Sequence, residues 1–591
     1  MSSSGDKKNE REQSMKAENP AMIFGEIASS GVARGIAVVC KGMEDTPIAR
    51  HVIDVSEVST ELERFDAAVS AAGKRMLALQ QKIGRGHGKD EAEILDAHIA
   101  LLHDPSLRET VCALCTTNKL NVEAAVSEAI NTLTAVFARL ANPYFRERAA
   151  DLVDIGNHLQ QALAKDNQPK TPALPAGTVL VTRELLPSVL VQFDEKAVCA
   201  VIVEQGGQTA HATILARARS MPLLIHVADA TKTIQNGDPL IVDGLAGRIF
   251  INAPPDIQHE YDRLEADLQA HKTVLKELIN QPAETQDGVP IKLSANIGKV
   301  ADAASAATVN ADGAGLYRTE FVFLAQNDFP SEEDQYKMYR GAADRLQPRE
   351  VVIRVLDIGS DKLLSYFPMA LEANPSLGSR GIRLLLAHPN ILHVQLRAIL
   401  RLSATHTVSI LFPMVGGLED LRRAKEAIER AKTTLTSDNL PFNPNIRIGA
   451  MIETPAAVIL AARLAREVDF LSIGTNDLVQ YLLTTDRTSS EMAAYYEPLH
   501  PAVLAALASV ASAMEASNKS VSICGEVAGN PAYTTLLLGL GFRSLSVNPS
   551  ELLEIKNAIR STSLLQAKRL AKRVLELGTV QEIKDCLRDT T

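Results

Sequence analysis

The spacing of apolar positions changes several times along the chain, and each change marks a candidate boundary. Short strand-like runs at 22–28 and 35–39 are separated by Ser29-Ser30-Gly31. From about Val55 the period becomes helical: Leu62, Phe65, Val69 and Met76 recur at helical steps, and Val122, Ala125, Val126, Ala129 and Leu133 continue the pattern. The segment from about Val55 to about Leu163 is therefore expected to be a helical bundle inserted between two β-rich pieces. Strand-like runs return at 178–181, 200–203, 223–225 and 239–242, with Asp243-Gly244 and Ala246-Gly247 as turn signals of a closing hairpin. A charged helical pattern over 257–279 ends at Gln281-Pro282 and reads either as a connecting helix or as a helix packed at a domain edge.

The C-terminal half alternates helical patterns with apolar runs at 291–295, 313–316, 351–356, 408–412, 446–452, 468–473, 521–524 and 544–547. Such alternation predicts a β/α barrel or a doubly wound sheet, and eight strands in this length match a (β/α)8 TIM barrel. Most of these runs finish in polar or ionisable residues: Arg318, Asp357, Glu453, Asn476-Asp477, and Cys524 followed by Gly525-Glu526. Taken singly, each reads equally as a loop residue or a surface ion pair. In a barrel they converge on the C-terminal mouth, where active sites sit. There Arg318, Arg354, Arg380 and Arg487 offer forked contacts to phosphate and carboxylate oxygens. Glu453 and Asp477 are hard oxygen donors of the kind Mg²⁺ takes, and Cys524 can deliver a proton to carbon. A small ligand with a dianionic phosphate and a carboxylate would fill such a site.

A chain of 591 residues is too long for one core, so two to four domains are expected. The net charge of -10 argues against nucleic acid as a main partner and mildly favours a basic protein partner. No apolar run reaches the length of a membrane span, and the polar opening, Met1 to Pro20, reads as a disordered tail and not as a signal peptide. Six cysteines are scattered, with Cys112 and Cys115 in a helical pattern and no second pair to complete a zinc site, which points to a reducing, cytoplasmic setting.

One stretch of the β-rich part carries chemistry. The strand-like run 200–203 is broken by Gly206-Gly207, and Gln208-Thr209-Ala210-His211-Ala212-Thr213-Ile214-Leu215-Ala216-Arg217 follows, the last part in a helical pattern. His211 thus falls on a loop or a first helical turn, where unpaired N–H groups and the helix dipole favour an anion. A neutral imidazole there is a plausible phosphoryl acceptor, although the same residues also fit a buried histidine filling a polar gap.

The stretch resembles the phosphohistidine signature Gly-Gly-x-Thr-x-His-x-x-Ile-x-Ala-Arg of the phosphoenolpyruvate-utilising enzymes: Enzyme I of the sugar phosphotransferase system, phosphoenolpyruvate synthase and pyruvate phosphate dikinase. It departs from that pattern in Ala210, where a hydroxyl residue is frequent, and His226 stands where a small residue usually ends the next strand. The resemblance extends over Gly315-Leu316-Tyr317-Arg318-Thr319-Glu320-Phe321, Arg354 with Asp357-Ile358-Gly359 and Asp361-Lys362, and Asn374-Pro375-Ser376-Leu377-Gly378-Ser379-Arg380. It continues in Met451-Ile452-Glu453-Thr454-Pro455-Ala456-Ala457, Ser472-Ile473-Gly474-Thr475-Asn476-Asp477-Leu478, Asp486-Arg487 and Cys524-Gly525-Glu526. It implies that Arg318, Arg354 and Arg487 hold the phosphate of phosphoenolpyruvate, Asn476 contacts the substrate, Glu453 and Asp477 bind Mg²⁺, and Cys524 protonates the enolate. Arg380 is implied as a further site residue, and the barrel is expected to form a homodimer.

Only about two hundred residues precede His211, and they hold no Gly-rich nucleotide motif. The helical insert, through Arg146-Glu147-Arg148-Ala149-Ala150-Asp151-Leu152-Val153-Asp154-Ile155-Gly156, resembles the Enzyme I domain that docks the small phosphocarrier HPr. The expected multidomain α/β layout is a tail (1–21), a swivelling phosphohistidine domain (22–54 and 165–253), a helical HPr-binding domain (55–164), a linker helix (254–284), a phosphoenolpyruvate-binding TIM barrel (285–575) and a C-terminal tail (576–591). The expected reaction passes the phosphoryl group of phosphoenolpyruvate to His211 and then to HPr or an HPr-like protein, with hinges near Pro254-Pro255 and Gln281-Pro282. Two other classes stay open: a pyruvate phosphotransferase that borrows a nucleotide-binding subunit, and a regulatory protein that signals by its phosphorylation state.

Overall fold

The computed structural model describes residues 21–40, 50–83, 99, 101–138, 143–164, 174–185, 197–205, 216, 221–324, 326, 328–359, 364, 366–367, 372, 374–487, 489–492 and 494–589. The chain divides into two compact units at Asp267 and Leu268, within a helix that spans Pro255–Glu277. Among the described residues no helix is long and apolar enough to cross a membrane.

The first unit holds a mixed eight-stranded sheet and a set of helices. Its strands are β1 (Ala21–Phe24), β2 (Glu26–Ser29), β3 (Val32–Cys40), β4 (Thr178–Glu184), β5 (Val198–Gln205), β6 (Leu223–Ile225), β7 (Pro239–Asp243) and β8 (Arg248–Ile251). They lie in the order β1-β8-β7-β3-β4-β5-β6-β2. The central strands β3, β4 and β5 pair in parallel, and Val179, Leu180, Val181 and Val201 to Val203 are buried, which is why these strands read as continuous apolar runs. The single strand expected over 22–28 is two strands. Gly25 breaks it: a Cβ there would lie 2.5 Å from Val227 Cγ2, and its N–H donates to the Gly247 carbonyl at 3.0 Å. The two pieces form opposite edges of the sheet, so the sheet curls until the edges are one residue apart in the chain. The hairpin expected at Asp243 to Gly247 joins β7 and β8.

The helical part contains Val58–Ile83, Pro105–Thr117, Val122–Ala138 and Pro143–Leu163 around a core that includes Phe65, Met76, Leu107, Val111, Ile155 and Leu159. The buried Glu61 carboxylate accepts from the Val122 N–H at 2.7 Å, satisfying one of the orphan donors that open the third of these helices. Cys115 is a core residue here.

The second unit is a closed eight-stranded barrel, every pair parallel: β9 (Lys292–Ile297), β10 (Gly313–Arg318), β11 (Glu350–Arg354), β12 (Val408–Phe412), β13 (Arg447–Ile452), β14 (Phe470–Ile473), β15 (Ser520–Ile523) and β16 (Ser544–Val547). Each coincides within a few residues with an apolar run expected from the sequence. Leu316, Val352, Leu411, Met451, Phe470 and Cys524 form the cluster inside it. The stretch after 575, expected as a tail, carries the helix Val580–Arg588 instead. Thr579 and Glu582 close a capping box at its start, and Ile583 and Cys586 are buried in the barrel's outer core, so the barrel unit runs on past 575.

Candidate active site

Parallel strands that close into a barrel bring their C-terminal ends to one mouth. Arg318 and Arg354 are the last residues of β10 and β11, Glu453 follows β13 directly, Asn476 and Asp477 open the helix Thr475–Leu483 after β14, and Cys524 follows β15. Arg380 and Arg487 come from loops that lead back to the same place.

The arginines are interlocked with carboxylates. Arg354, 6% exposed, donates from Nη2 to Glu320, and its Nη1 lies 3.0 Å from Asp357 Oδ2. Arg380, also buried, places Nη2 3.4 Å from the same Asp357 oxygen and Nη1 3.6 Å from Asp477 Oδ1, and donates to the Tyr481 hydroxyl at 3.2 Å. Arg487 Nη2 reaches Asp477 Oδ1 at 3.9 Å. Burial alone would lower the pKa of the Arg354 guanidinium, but Glu320 and Asp357 more than reverse that, and it stays charged. Asn476 is fixed beside this ladder by reciprocal bonds with Glu526: Nδ2 donates to the carboxylate at 3.0 Å and Oδ1 accepts from its backbone N–H at 3.0 Å.

Glu453 is completely buried, and one carboxylate oxygen accepts from the Met414 N–H. Its other oxygen, Oε2, has no hydrogen-bond partner among the described residues, and neither does Asp477 Oδ1. Desolvation first, and then the like charges of Asp357 and Asp477, push the Glu453 carboxyl up to about 8 against the pull of Arg354. Under-bonded, mutually repelling carboxylate oxygens are what a hard divalent cation relieves, so this pair fits such an ion.

Cys524 is 2% exposed; its thiol donates to the Ile473 carbonyl at 3.3 Å and accepts from the Ser472 hydroxyl at 3.3 Å. Burial raises its pKa, more than the Ser472 hydroxyl and the charges of Arg354 and Arg318 lower it. The thiol therefore carries its proton at neutral pH.

Profiles of the PEP-utilising enzymes match in three segments: the N-terminal region over 25–148, the mobile domain over 174–247 and the PEP-binding domain over 272–564. The phosphoenolpyruvate-protein phosphotransferase of Buchnera aphidicola subsp. Schizaphis graminum is 36% identical over 566 residues, 96% of this chain and 99% of its own. Those of Haemophilus influenzae (35% over 568 residues; 96% and 99%) and Geobacillus stearothermophilus (34% over 568 residues; 96% and 98%) match as fully. The chain belongs to the phosphoenolpyruvate-protein phosphotransferases of the PEP-utilising enzyme family. A divalent metal ion goes with this family, and Glu453 and Asp477 are the carboxylates here that suit one.

The phosphotransferase barrel also contains partners that the sequence did not single out as site residues. Glu320 and Tyr481 hold Arg354 and Arg380, and the Met414 backbone, at φ 55°, turns its N–H to Glu453. Glu320 directly follows the Arg318-Thr319 motif and Tyr481 lies one helical turn beyond Asp477, so each was within reach of the pattern. Ser472 is invisible to it, because only the inward face of β14 reveals its bond to Cys524. His211 lies outside the described residues, as do residues 206–217 apart from the buried Ala216. The flanks are described: β5 ends at Gln205, just before the glycine pair. His226 follows β6 with φ 55° and Nδ1 2.7 Å from Glu26 Oε2.

Proposed function

We propose that the chain takes the phosphoryl group of phosphoenolpyruvate onto His211 and passes it to a histidine of the phosphocarrier HPr or an HPr-like protein, releasing pyruvate. The observation that carries this reading is the barrel mouth, where interlocked guanidinium groups, two under-bonded carboxylates and a protonated thiol meet. In it Arg318, Arg354 and Arg487 hold the phosphate, Arg380 supports them through Asp357 and Asp477, and Asn476 orients the substrate. Glu453 and Asp477 hold Mg²⁺, which when bound neutralises phosphate charge in a transfer whose loose transition state depends on positioning and electrostatics.

The His211 imidazole lone pair forms the new P–N bond as the P–O bond to the enolate breaks. Cys524 then gives its proton to the enolate's terminal carbon, forming pyruvate; the thiolate left behind regains a proton from water. Departure of pyruvate frees phospho-His211 for the carrier. None of the six cysteines is joined in a disulfide, which fits a cytoplasmic setting. The barrel homodimer expected from the resemblance belongs to the same reading.

Incubation with labelled phosphoenolpyruvate and Mg²⁺, without nucleotide, tests it. Acid-labile, alkali-stable label on wild type and none on His211→Ala is the expected result. Label that survives in His211→Ala, or that appears only with ATP and a second subunit, would overturn the reading.

A further inference from the structure

The opposite end of the barrel, where strands begin, also holds a cavity, of about 480 Å³. The first residues of β9, β11, β13, β14, β15 and β16 open onto it, and the established chemistry of such barrels makes no use of that face. Its volume is in the range of small-molecule sites.

Its rim is basic. Lys292, Arg447, Lys519, Arg543 and Lys568 line it against two carboxylates, Glu350 and Glu515. Glu350 is consumed by Lys292 at 2.6 Å and Arg447 at 2.7 Å. Arg543 is held in place by Nη1 bonds to the carbonyls of Leu538 (2.8 Å) and Phe542 (2.7 Å), and Lys519 by the Val468 carbonyl at 2.6 Å. Lys568 has no ion pair among the described residues. Five cations against two carboxylates leave a surplus of positive charge facing the space. On the floor, the Ser294 hydroxyl is 1% exposed and has no hydrogen-bond partner among the described residues, although Ser294 lines the cavity.

A second floor residue connects to the catalytic mouth. Ser522 lines the cavity and donates to the Ser472 hydroxyl at 3.0 Å, and Ser472 donates to the Cys524 thiol at 3.3 Å. Ser472 and Ser522 are direct partners across β14 and β15, so both hydroxyls lie inside the barrel.

We propose that this cavity binds a small phosphorylated polyanion, and that the bound anion, by accepting from Ser522, turns that hydroxyl away from Ser472 and weakens proton delivery by Cys524. The coupling rests on the reading of Cys524 as the proton donor; the anion site does not.

The probe is inorganic pyrophosphate, measured on the full chain. Equilibrium dialysis of radiolabelled pyrophosphate without Mg²⁺ should find two classes of site on wild type, mouth and cavity. Lys568→Glu, an exposed substitution outside the catalytic machinery, should weaken the cavity class about tenfold or more, the worth of one charge-assisted contact, and Lys568→Arg should restore it. In turnover, pyrophosphate should lower kcat about fivefold in wild type, the worth of one hydrogen bond, on top of a rise in KM from competition at the mouth. In Lys568→Glu only the KM effect should remain. Unchanged stoichiometry and affinity in Lys568→Glu would overturn the site. Purely competitive inhibition of wild type would overturn the coupling. Failure of the Cys524 reading would show separately, as undiminished turnover in Cys524→Ala with the dialysis result intact.

Discussion

Removing the thiol of Cys524 is the sharpest test of the barrel chemistry, because the structure sets both the size of the effect and its form. The side chain is buried in the cluster of Leu316, Val352, Leu411, Met451 and Phe470. Cys524→Ala deletes one sulfur from that packing, at a cost of about 1–2 kcal/mol, which for a unit of this size lowers Tm by only a few degrees. The chemical loss is larger. A positioned general acid contributes about 10²–10⁴ in rate, or roughly 3–5 kcal/mol of barrier, and no other described side chain bonds to the Cys524 sulfur except the Ser472 hydroxyl, a far weaker acid. Because the thiol contacts substrate carbon only as the enolate forms, the defect should appear in kcat, with KM changed by less than about threefold. The assay is pyruvate formation in single turnover, with deuterium exchange into the pyruvate methyl group by the phosphoenzyme as the reverse-direction check. Burial raises the thiol pKa above its ordinary value of 9.0, so the proton is present below that range and lost above it. The alkaline limb of wild-type kcat should therefore lie above the ordinary thiol range and vanish in the variant. Turnover within a fewfold of wild type, or a defect confined to KM, would refute the assignment.

Glu453→Gln should cut phosphoenolpyruvate-dependent labelling of His211 by about 10² or more while leaving exchange between His211 and phosphorylated carrier intact, and failure of both would show that Glu453 is not confined to barrel chemistry. The same carboxyl has a folded pKa raised to about 8 from 4.5, so the metal-free fold binds the extra proton and loses stability as pH rises through that window. Chelated Glu453→Gln should lack this slope in thermal melts at successive pH values. Gly474→Ala would place a Cβ 2.7 Å from Glu453 Oε2 and should raise the Mg²⁺ concentration for half-maximal activity severalfold, with carrier exchange unaffected; an unchanged Mg²⁺ requirement would separate Glu453 from the metal.

The barrel was legible because parallel strands buried on both faces leave uninterrupted apolar runs, and those runs end where a polar residue must turn toward the mouth. Arg318, Asp357, Glu453, Asp477 and Cys524 could be picked out by that rule alone. The break between the first two strands was not legible, because Gly25 sits in an otherwise continuous strand-like run and only the close approach of Val227 shows why the chain must break there. The helix Val580–Arg588 has nine residues and buries only Ile583 and Cys586, too short a stripe to announce itself beside so polar a sequence. Nor does sequence spacing reveal that Arg354 and Arg380 share one oxygen of Asp357, since Arg354 ends β11 three residues before Asp357 while Arg380 comes back from much further along the chain.

That shared oxygen explains how the mouth can be buried and still ready for a charged substrate. Arg354, Arg380 and Arg487 pair with Glu320, Asp357 and Asp477, so most of the mouth's own charge is matched. Asp357 keeps two guanidinium groups aimed inward before substrate arrives, so little reorganisation is left for the transfer itself. The match is imperfect at the two carboxylates that suit a metal: Glu453 Oε2, close to the like charges of Asp357 and Asp477, and Asp477 Oδ1 have no hydrogen-bond partner among the described residues. A dianionic phosphate alone would add charge beside those carboxylates, and a divalent cation alone would add it beside the arginines. Entering together, the two nearly cancel, and each occupies the groups that repel the other. On the proposed reading the mouth therefore favours the pair over either ion alone.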